Sequence, residues 1–259
     1  MKKTSLFVIL MLITVLGAGT ASFAACTATT LSAGNGTWGI ESYGNGPGGL
    51  INYLFQITFS AGGTFTGTQW ESVAGAQSGP TGIAGTWSMT SPAKDCQGVM
   101  TVTSPSESFN FAINSSGKGG TLVQTNAGYN QAGFMVAQGT VTCSTATFKK
   151  KQFSLYSYGT IPAAGGLVTG SGEILFDSTT GATFATAPTV SLDLASFGNF
   201  TVPGTGTSTI GSNCQGSGVL TVPALGQSFD VDTVIVDGGK EALWIVTNTG
   251  DNVSGYFLE

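Results

Sequence analysis

Hydrophobic and polar residues alternate along short segments that are separated by glycine, asparagine, serine and proline. The alternation is clearest where Phe109, Phe111 and Ile113 interleave with asparagine and alanine. A period of two places apolar side chains on one face of a strand and polar ones on the other. Beyond the first two dozen residues, no segment combines a helical period with capping residues. The pattern therefore predicts an all-β protein.

Eight such segments occupy the first half of the chain. They cover residues 36–43, 50–59, 63–72, 82–90, 98–103, 106–114, 120–126 and 131–138. Their connections are short, which favours pairing of consecutive strands. A meander without covering helices has two edge strands to hide, and closure into a barrel hides both. We predict an eight-stranded antiparallel up-and-down β-barrel, with a two-sheet β-sandwich as the alternative.

The second half of the chain repeats the first. The tripeptide Ser-Tyr-Gly at 42–44 returns at 157–159, and Thr-Asn-x-Gly at 125–128 returns at 247–250. A period of this length is too long for a solenoid repeat and suits two duplicated domains. We therefore predict two tandem homologous barrels, over residues 25–140 and 141–259.

The four cysteines lie at matching points of the two copies. Cys26 and Cys96 are 70 positions apart, Cys143 and Cys214 are 71 apart, and Gln-Gly follows the second cysteine of each pair. Of the three connectivities that four cysteines allow, we predict Cys26–Cys96 and Cys143–Cys214. Metal binding by the four thiolates is the alternative, but the chain has neither C-x-x-C spacing nor histidine.

Residues 1–24 are predicted to be a secretory signal peptide. Lys2 and Lys3 precede an apolar run over 6–16, and small residues surround Ala24, after which we expect cleavage. This predicts export to the periplasm or the extracellular space. A lipid anchor on Cys26 is less favoured, because Cys143 holds the same place in the second copy, where lipidation cannot occur.

The composition excludes some classes of function. The chain has 13 acidic residues against 8 lysines, and it has no arginine and no histidine. Nucleic-acid binding is disfavoured, because neutralising phosphates needs clustered basic residues. The side chain used most often for acid–base catalysis near neutral pH is also missing. Charged residues make up only 8% of the chain, which leaves self-association open.

Carboxylates are the remaining candidates for catalysis. Glu41, Glu71 and Asp95 could in principle serve glycoside hydrolysis, which uses two carboxyl groups. They have no counterparts in the second copy, so we interpret them as solvated strand or turn residues. We predict no catalytic constellation, no metal site and no cofactor.

Three motifs of the first copy resemble the calycins, the barrel superfamily that includes lipocalins and avidins. Gly36-Thr37-Trp38 resembles the Gly-x-Trp motif of their first strand. The segment 63–72 resembles the third strand of avidin and streptavidin, and Gly85-Thr86-Trp87 resembles the strand that follows. The resemblance implies a barrel, and it maps pocket-lining roles onto Trp70 and Ser72. The later strands of the first copy carry no tryptophan, so the biotin-site pattern is not retained.

Aromatic residues are the most plausible ligand-binding groups. Trp38, Trp70 and Trp87 are predicted near one end or the interior of the first barrel, where they either fill the core or, with Ser72, line a pocket. We expect an exported, non-enzymatic binding protein whose barrels take a small apolar molecule or a glycan. The alternative is a structural, matrix or surface-assembly protein built from duplicated barrels. No membrane-spanning segment is expected.

Overall fold

The computed structural model describes residues 28–32, 36–90, 96–114, 116–162, 166–185, 189–194 and 198–259. In the first half, each strand pairs antiparallel with its neighbours along the chain, and the first strand also pairs with the eighth. The predicted eight-stranded barrel is thereby confirmed for this half. Its strands are β1 Thr37–Gly46, β2 Gly49–Phe59, β3 Thr64–Val73, β4 Ala76–Met89, β5 Gln97–Val102, β6 Glu107–Ile113, β7 Gly119–Gln124 and β8 Asn130–Ala137.

The barrel interior follows the alternation of the sequence. On β6, Phe109, Phe111 and Ile113 are buried inside the barrel, whereas the intervening side chains face outward. Aromatic residues from several strands meet in this core, among them Phe55 and Phe109, whose ring centroids lie 5.9 Å apart. A short helix, α1 Ala28–Ser32, precedes the barrel and packs Leu31 into the same core. We predicted no helix, so α1 is a correction.

The second half forms a nine-stranded antiparallel sheet. The order of the strands across the sheet is β12-β11-β10-β9-β17-β16-β15-β14-β13. Its strands are β9 Gln152–Ile161, β10 Gly166–Leu175, β11 Thr189–Leu194, β12 Gly198–Pro203, β13 Thr205–Ile210, β14 Gln215–Val222, β15 Gln227–Val236, β16 Glu241–Val246 and β17 Asn252–Leu258. Single 3₁₀ turns occur at Thr145–Phe148, Pro223–Leu225 and Asp237–Gly239.

The two edges of this sheet come together. The edge strands β12 and β13 follow each other in the chain with only Gly204 between them. Isolated bridges also join Phe176 to Phe184 and Thr183 to Thr207, which lies on β13. The sheet is therefore curled around a second hydrophobic core, built by residues such as Phe153 and Trp244.

A disulfide joins Cys143, which precedes the first 3₁₀ turn, to Cys214, which precedes β14. This confirms one predicted pair. Both cysteines are buried in the second core, and the bond indicates an oxidising, exported compartment. Cys26 and the predicted signal peptide lie outside the described residues, so the Cys26–Cys96 pair stays a prediction.

The barrel and the curled sheet pack against each other through a third apolar cluster. Its buried members are Leu54, Trp70, Val234, Val236, Leu243 and Ile245. Hydrogen bonds between the two halves flank it: Nε2 of Gln56 donates to the carbonyl of Asn213, and Nδ2 of Asn252 donates to that of Leu50, both at 2.8 Å. The outer faces of β2, β3, β15 and β16 are thus covered rather than exposed to solvent.

Within the described ranges, no helix is both long and apolar enough to span a bilayer.

Candidate functional site

Two of the predicted ligand-binding tryptophans lie inside the barrel. Trp38 and Trp87 are 1% and 6% exposed and belong to its core. Nε1 of Trp38 donates to the carbonyl of Leu31 at 2.9 Å. Nε1 of Trp87 donates to the carbonyls of Ser60 and Thr64, both at 3.1 Å. Their polar atoms are therefore already satisfied within the protein.

The other two predicted residues lie on the outside of the barrel wall. Trp70 is buried in the apolar cluster between the two halves. The hydroxyl of Ser72 is buried in the same interface, where it accepts a hydrogen bond from Gln77 at 2.9 Å. The structure thus brings together Trp38 with Trp87 and Trp70 with Ser72, but it does not join the two pairs. The sequence of β3 already indicated this separation. Successive side chains of a strand point to opposite faces, and Trp70 is an odd number of residues from Phe65, which faces the barrel interior.

The interior of the curled sheet contains two small cavities, of about 30 and 40 Å³. Each exceeds the roughly 10–15 Å³ that one water molecule needs. Most of the residues that line them are apolar, but the first cavity is also lined by Thr207, Ser208, Ser217 and Thr233, and the second by Ser157. They share four lining residues, Leu155, Leu220, Val231 and Trp244.

The strand registers place different residues in the interiors of the barrel and of the curled sheet. In the barrel, Tyr53 and Phe55 of β2 pair with Ser42 and Ile40 of β1 and fill the core. In the sheet, the strand that pairs with β9 carries Gly170 opposite Ser157 and Gly172 opposite Leu155. These two strand pairs thus carry large aromatic side chains in the barrel and glycines in the curled sheet.

Two residues that line the first cavity carry buried polar groups with no hydrogen-bond partner among the described residues. These groups are Nε1 of Trp244 and Oγ1 of Thr233. The two residues pair across β15 and β16, so their side chains lie side by side. A buried polar group without a partner costs about 1–3 kcal/mol. A mostly apolar cavity beside one unsatisfied N–H donor is suited to an apolar molecule that carries a hydrogen-bond acceptor.

Neither Trp244 nor Thr233 was a predicted site residue. A signal was present in the sequence, since Ala242, Trp244 and Val246 alternate on a strand and Trp244 is the tryptophan that the second half retains. The sequence could not show that the N–H of Trp244 lacks a hydrogen-bond partner, because that depends on how the strands pack.

An open groove of about 270 Å³ lies on the outer face of the curled sheet. Its lining residues are Tyr156, Thr169, Gly170, Ser171, Ser191 and Asp193. Tyr156 is 39% exposed and packs against Tyr256, with ring centroids 5.3 Å apart. The groove offers hydroxyls, a carboxylate and an aromatic ring to solvent.

Of the three carboxylates considered for catalysis, one was misjudged. Glu41 is fully buried between the two halves rather than solvated, and it accepts a hydrogen bond from the hydroxyl of Tyr158 at 2.8 Å. Burial raises the pKa of Glu41 to about 7. Glu71 faces the barrel interior instead, and Asp95 lies outside the described residues.

In the part of the chain that the structure describes, no cluster of three or more His, Cys, Asp or Glu side chains could hold a metal ion.

Comparison with protein-family models, with curated proteins and with solved structures found no match to this chain. Its class is therefore defined by what the fold and the cavities show: an all-β protein in which a closed barrel packs against a curled sheet with a hollow apolar core.

Proposed function

We propose that the protein is an exported, non-enzymatic binding protein that holds a small apolar molecule inside its curled sheet. The observation that carries this proposal is the pair of unsatisfied polar groups, Trp244 Nε1 and Thr233 Oγ1, on residues that line a mostly apolar cavity. Apolar walls with a few convergent polar groups are the usual composition of small-molecule sites. The ligand accepts a hydrogen bond from Trp244 and buries its hydrocarbon part against Leu155, Leu220 and Val231.

We also propose that the curled sheet is a second, diverged copy of the barrel, and that both are calycin-like. The strand pairing supports this, because the isolated bridges of the second half match ladder pairs of the first at offsets of 117 to 121 residues. On this proposal β12 and β13 together correspond to β4, and Gly204 interrupts the strand between them. The matching pairs are Phe59–Phe65 with Phe176–Phe184, and Thr64–Thr86 with Thr183–Thr207.

Two ligands of the same shape test the binding proposal. Cyclohexanone has a carbonyl acceptor where methylenecyclohexane has a CH₂ group. We expect both to raise the Tm of the purified protein, and cyclohexanone to do so at lower concentration. Trp244→Phe keeps an aromatic ring but removes the N–H, so it should abolish the difference between the two ligands.

A filling substitution provides the second arm. Val231 lines both cavities, so Val231→Phe should abolish the response to either ligand. Val123→Phe is the matched control, because Val123 is 47% exposed and belongs to the barrel. The proposal fails if neither ligand changes the Tm, or if Val231→Phe leaves the response intact. Ordered assembly in light scattering, together with no ligand response, would favour the structural alternative.

A glycan is the second candidate ligand, and the outer groove beside Tyr156 favours it. Hydroxyls, a carboxylate and an exposed aromatic face are groups that bind sugars by hydrogen bonding and stacking. Binding to a glycan array should be lost in Tyr156→Ala and retained in Val231→Phe. If glycan binding survived Tyr156→Ala and were lost in Val231→Phe, the groove would be excluded as the glycan site.

A further inference from the structure

The interior of the barrel is apolar at one end and polar at the other. Trp38 and Trp87 fill the apolar end, against which Leu31 of α1 packs. The polar end lies beneath the β1–β2, β3–β4, β5–β6 and β7–β8 connections. By register, the polar side chains that face the interior there are Ser42, Tyr53, Gln69, Glu71, Glu107, Gln124 and Gln131.

Three hydrogen bonds satisfy part of this polar end. Oγ of Ser78 donates to Oε2 of Glu71 at 3.3 Å. The hydroxyl of Tyr53 donates to Oε1 of Glu107. Nε2 of Gln131 donates to Oγ of Ser42 at 2.9 Å. These bonds leave Oε2 of Glu107 and Oε1 of Gln131 with no partner in the described part of the chain.

Two further glutamines add to the unsatisfied set. Oε1 of Gln69 and both polar atoms of Gln124 have no partner among the described residues. Gln69, Glu107, Gln124 and Gln131 are only 3%, 4%, 7% and 3% exposed, so water at the surface does not reach these atoms. They come from β3, β6, β7 and β8, and four of the five unsatisfied atoms are oxygens. The polar end is therefore rich in hydrogen-bond acceptors and poor in donors, an arrangement that buried groups avoid unless a partner is bound.

The charge at this end is negative. Glu71 lies close enough to Glu107 for its charge to act on it. The described lysines do not offset the two carboxyl groups: Lys118 lies in the connection at the opposite end of the barrel, and the others belong to the second half.

We propose that the polar end of the barrel binds a small primary alkylammonium ion. The ammonium group supplies three N–H donors, enough for three of the four acceptor oxygens of Gln69, Glu107, Gln124 and Gln131, and its positive charge complements the carboxylates. Phe55 pairs across the strands with Gln69, and Phe109 with Gln124, so both rings lie beside the acceptor groups and just below Tyr53 and Glu107. The two rings form an apolar floor for the alkyl chain and contribute cation–π attraction. This site is separate from the cavities of the curled sheet and does not depend on the function proposed for them.

The first test compares two probes of equal size by isothermal titration calorimetry on the full protein. n-Propylammonium should bind at pH 8, whereas 1-propanol should not. Burial raises the pKa of Glu107 to about 7, and the ammonium ion needs the ionised form. The affinity should therefore fall about tenfold between pH 8 and pH 6. Of the described titratable groups, Tyr53 and Glu71 face Glu107.

Two variants separate binding from folding. Glu107→Gln keeps an acceptor for the hydroxyl of Tyr53 but removes the negative charge. It should therefore lower the affinity for n-propylammonium at least tenfold and abolish the pH dependence of binding. Gln124→Met removes two unsatisfied polar atoms, so it should raise the Tm of the ligand-free protein and lower its affinity for n-propylammonium. Gln97→Met, on the exposed outer face of β5, is the control and should change neither property.

Three results would overturn the proposal. These are equal binding of 1-propanol and n-propylammonium, amine binding that survives Glu107→Gln, and a Gln124→Met protein that is more stable yet binds the amine as well as before. The last result would mean that the unsatisfied oxygens are a packing defect. Because the cyclohexanone experiment tests the other half of the protein, failure of one proposal leaves the other testable.

Discussion

Replacing Glu41 with glutamine should stabilise the protein at high pH and leave it unchanged at low pH. Glu41 lies on the outer face of β1, fully buried against the curled sheet. Desolvation is the largest cause that raises the pKa of its carboxyl from 4.5 to about 7, and hydrogen bonds from Ser254 and Tyr158 only partly oppose it. At neutral pH about half of the folded molecules therefore carry a buried negative charge without a cationic partner.

The direction of the effect follows from proton binding. The folded pKa is higher than the unfolded one, so the folded state holds its proton more tightly. The contribution to stability is complete below pH 4.5, declines as the pH rises from 4.5 to 7, and is lost above pH 7. A pKa difference between 4.5 and about 7 corresponds to about 3 kcal/mol. Glutamine is uncharged throughout and avoids this loss.

Urea denaturation at pH 4.5 and pH 8, followed by tryptophan fluorescence, measures the effect. The free energy of unfolding of Glu41→Gln should exceed that of the natural protein by about 3 kcal/mol at pH 8 and by nearly nothing at pH 4.5. Glu173→Gln, which removes an exposed carboxyl group, is the control. Burial also raises the pKa values of Glu107 and Glu241 to about 7. The contribution of Glu107 is common to both proteins and cancels in the difference, whereas Glu241 repels the charge of Glu41, so relief of this repulsion is part of the expected gain at pH 8. An equal gain at both pH values would refute the electrostatic explanation.

Three further changes test the disulfide, the interface between the two halves, and the hydrogen bonding of the buried tryptophans. Replacing Cys143 and Cys214 with serine removes a disulfide between residues 71 positions apart. The free energy of unfolding, measured by urea titration, should fall by about 4 kcal/mol. Trp70→Ala empties the centre of the interface, so it should cost about 3–5 kcal/mol and split calorimetric unfolding into two transitions. Trp244→Phe removes an unsatisfied N–H, so it should lower the Tm less than Trp38→Phe, which leaves the carbonyl of Leu31 without its donor.

The strands of the barrel could be predicted because period-two alternation and turn residues agree. Segment 106–114, for example, became β6 Glu107–Ile113. The start of β4 was missed, since we placed it at residue 82 and it begins at Ala76. Ser78-Gly79-Pro80 has the composition of a turn, yet it continues the strand beside a β-bulge between Gln69 and Glu71. Proline is tolerated at a bulge because no ladder hydrogen bond is lost there.

The interface between the two halves was not predicted, although the sequence held a signal for it. A strand covered on one face alternates, whereas one covered on both faces is apolar nearly throughout. Residues 50–55 of β2 and 242–246 of β16 have that continuous composition, and all but Leu50 are buried. Which strands would meet could not be derived, because the pairing of the two surfaces depends on their shapes. For the same reason Trp70 was expected beside Trp38 and Trp87.

The cavities in the core of the curled sheet carry a cost in stability. At about 24 cal/mol per Å³, cavities of 30 and 40 Å³ cost about 2 kcal/mol. The Cys143–Cys214 disulfide contributes about 4 kcal/mol in the same half, which is enough to offset that loss. The covalent link thus allows this half of the protein to stay folded although its core is not completely filled.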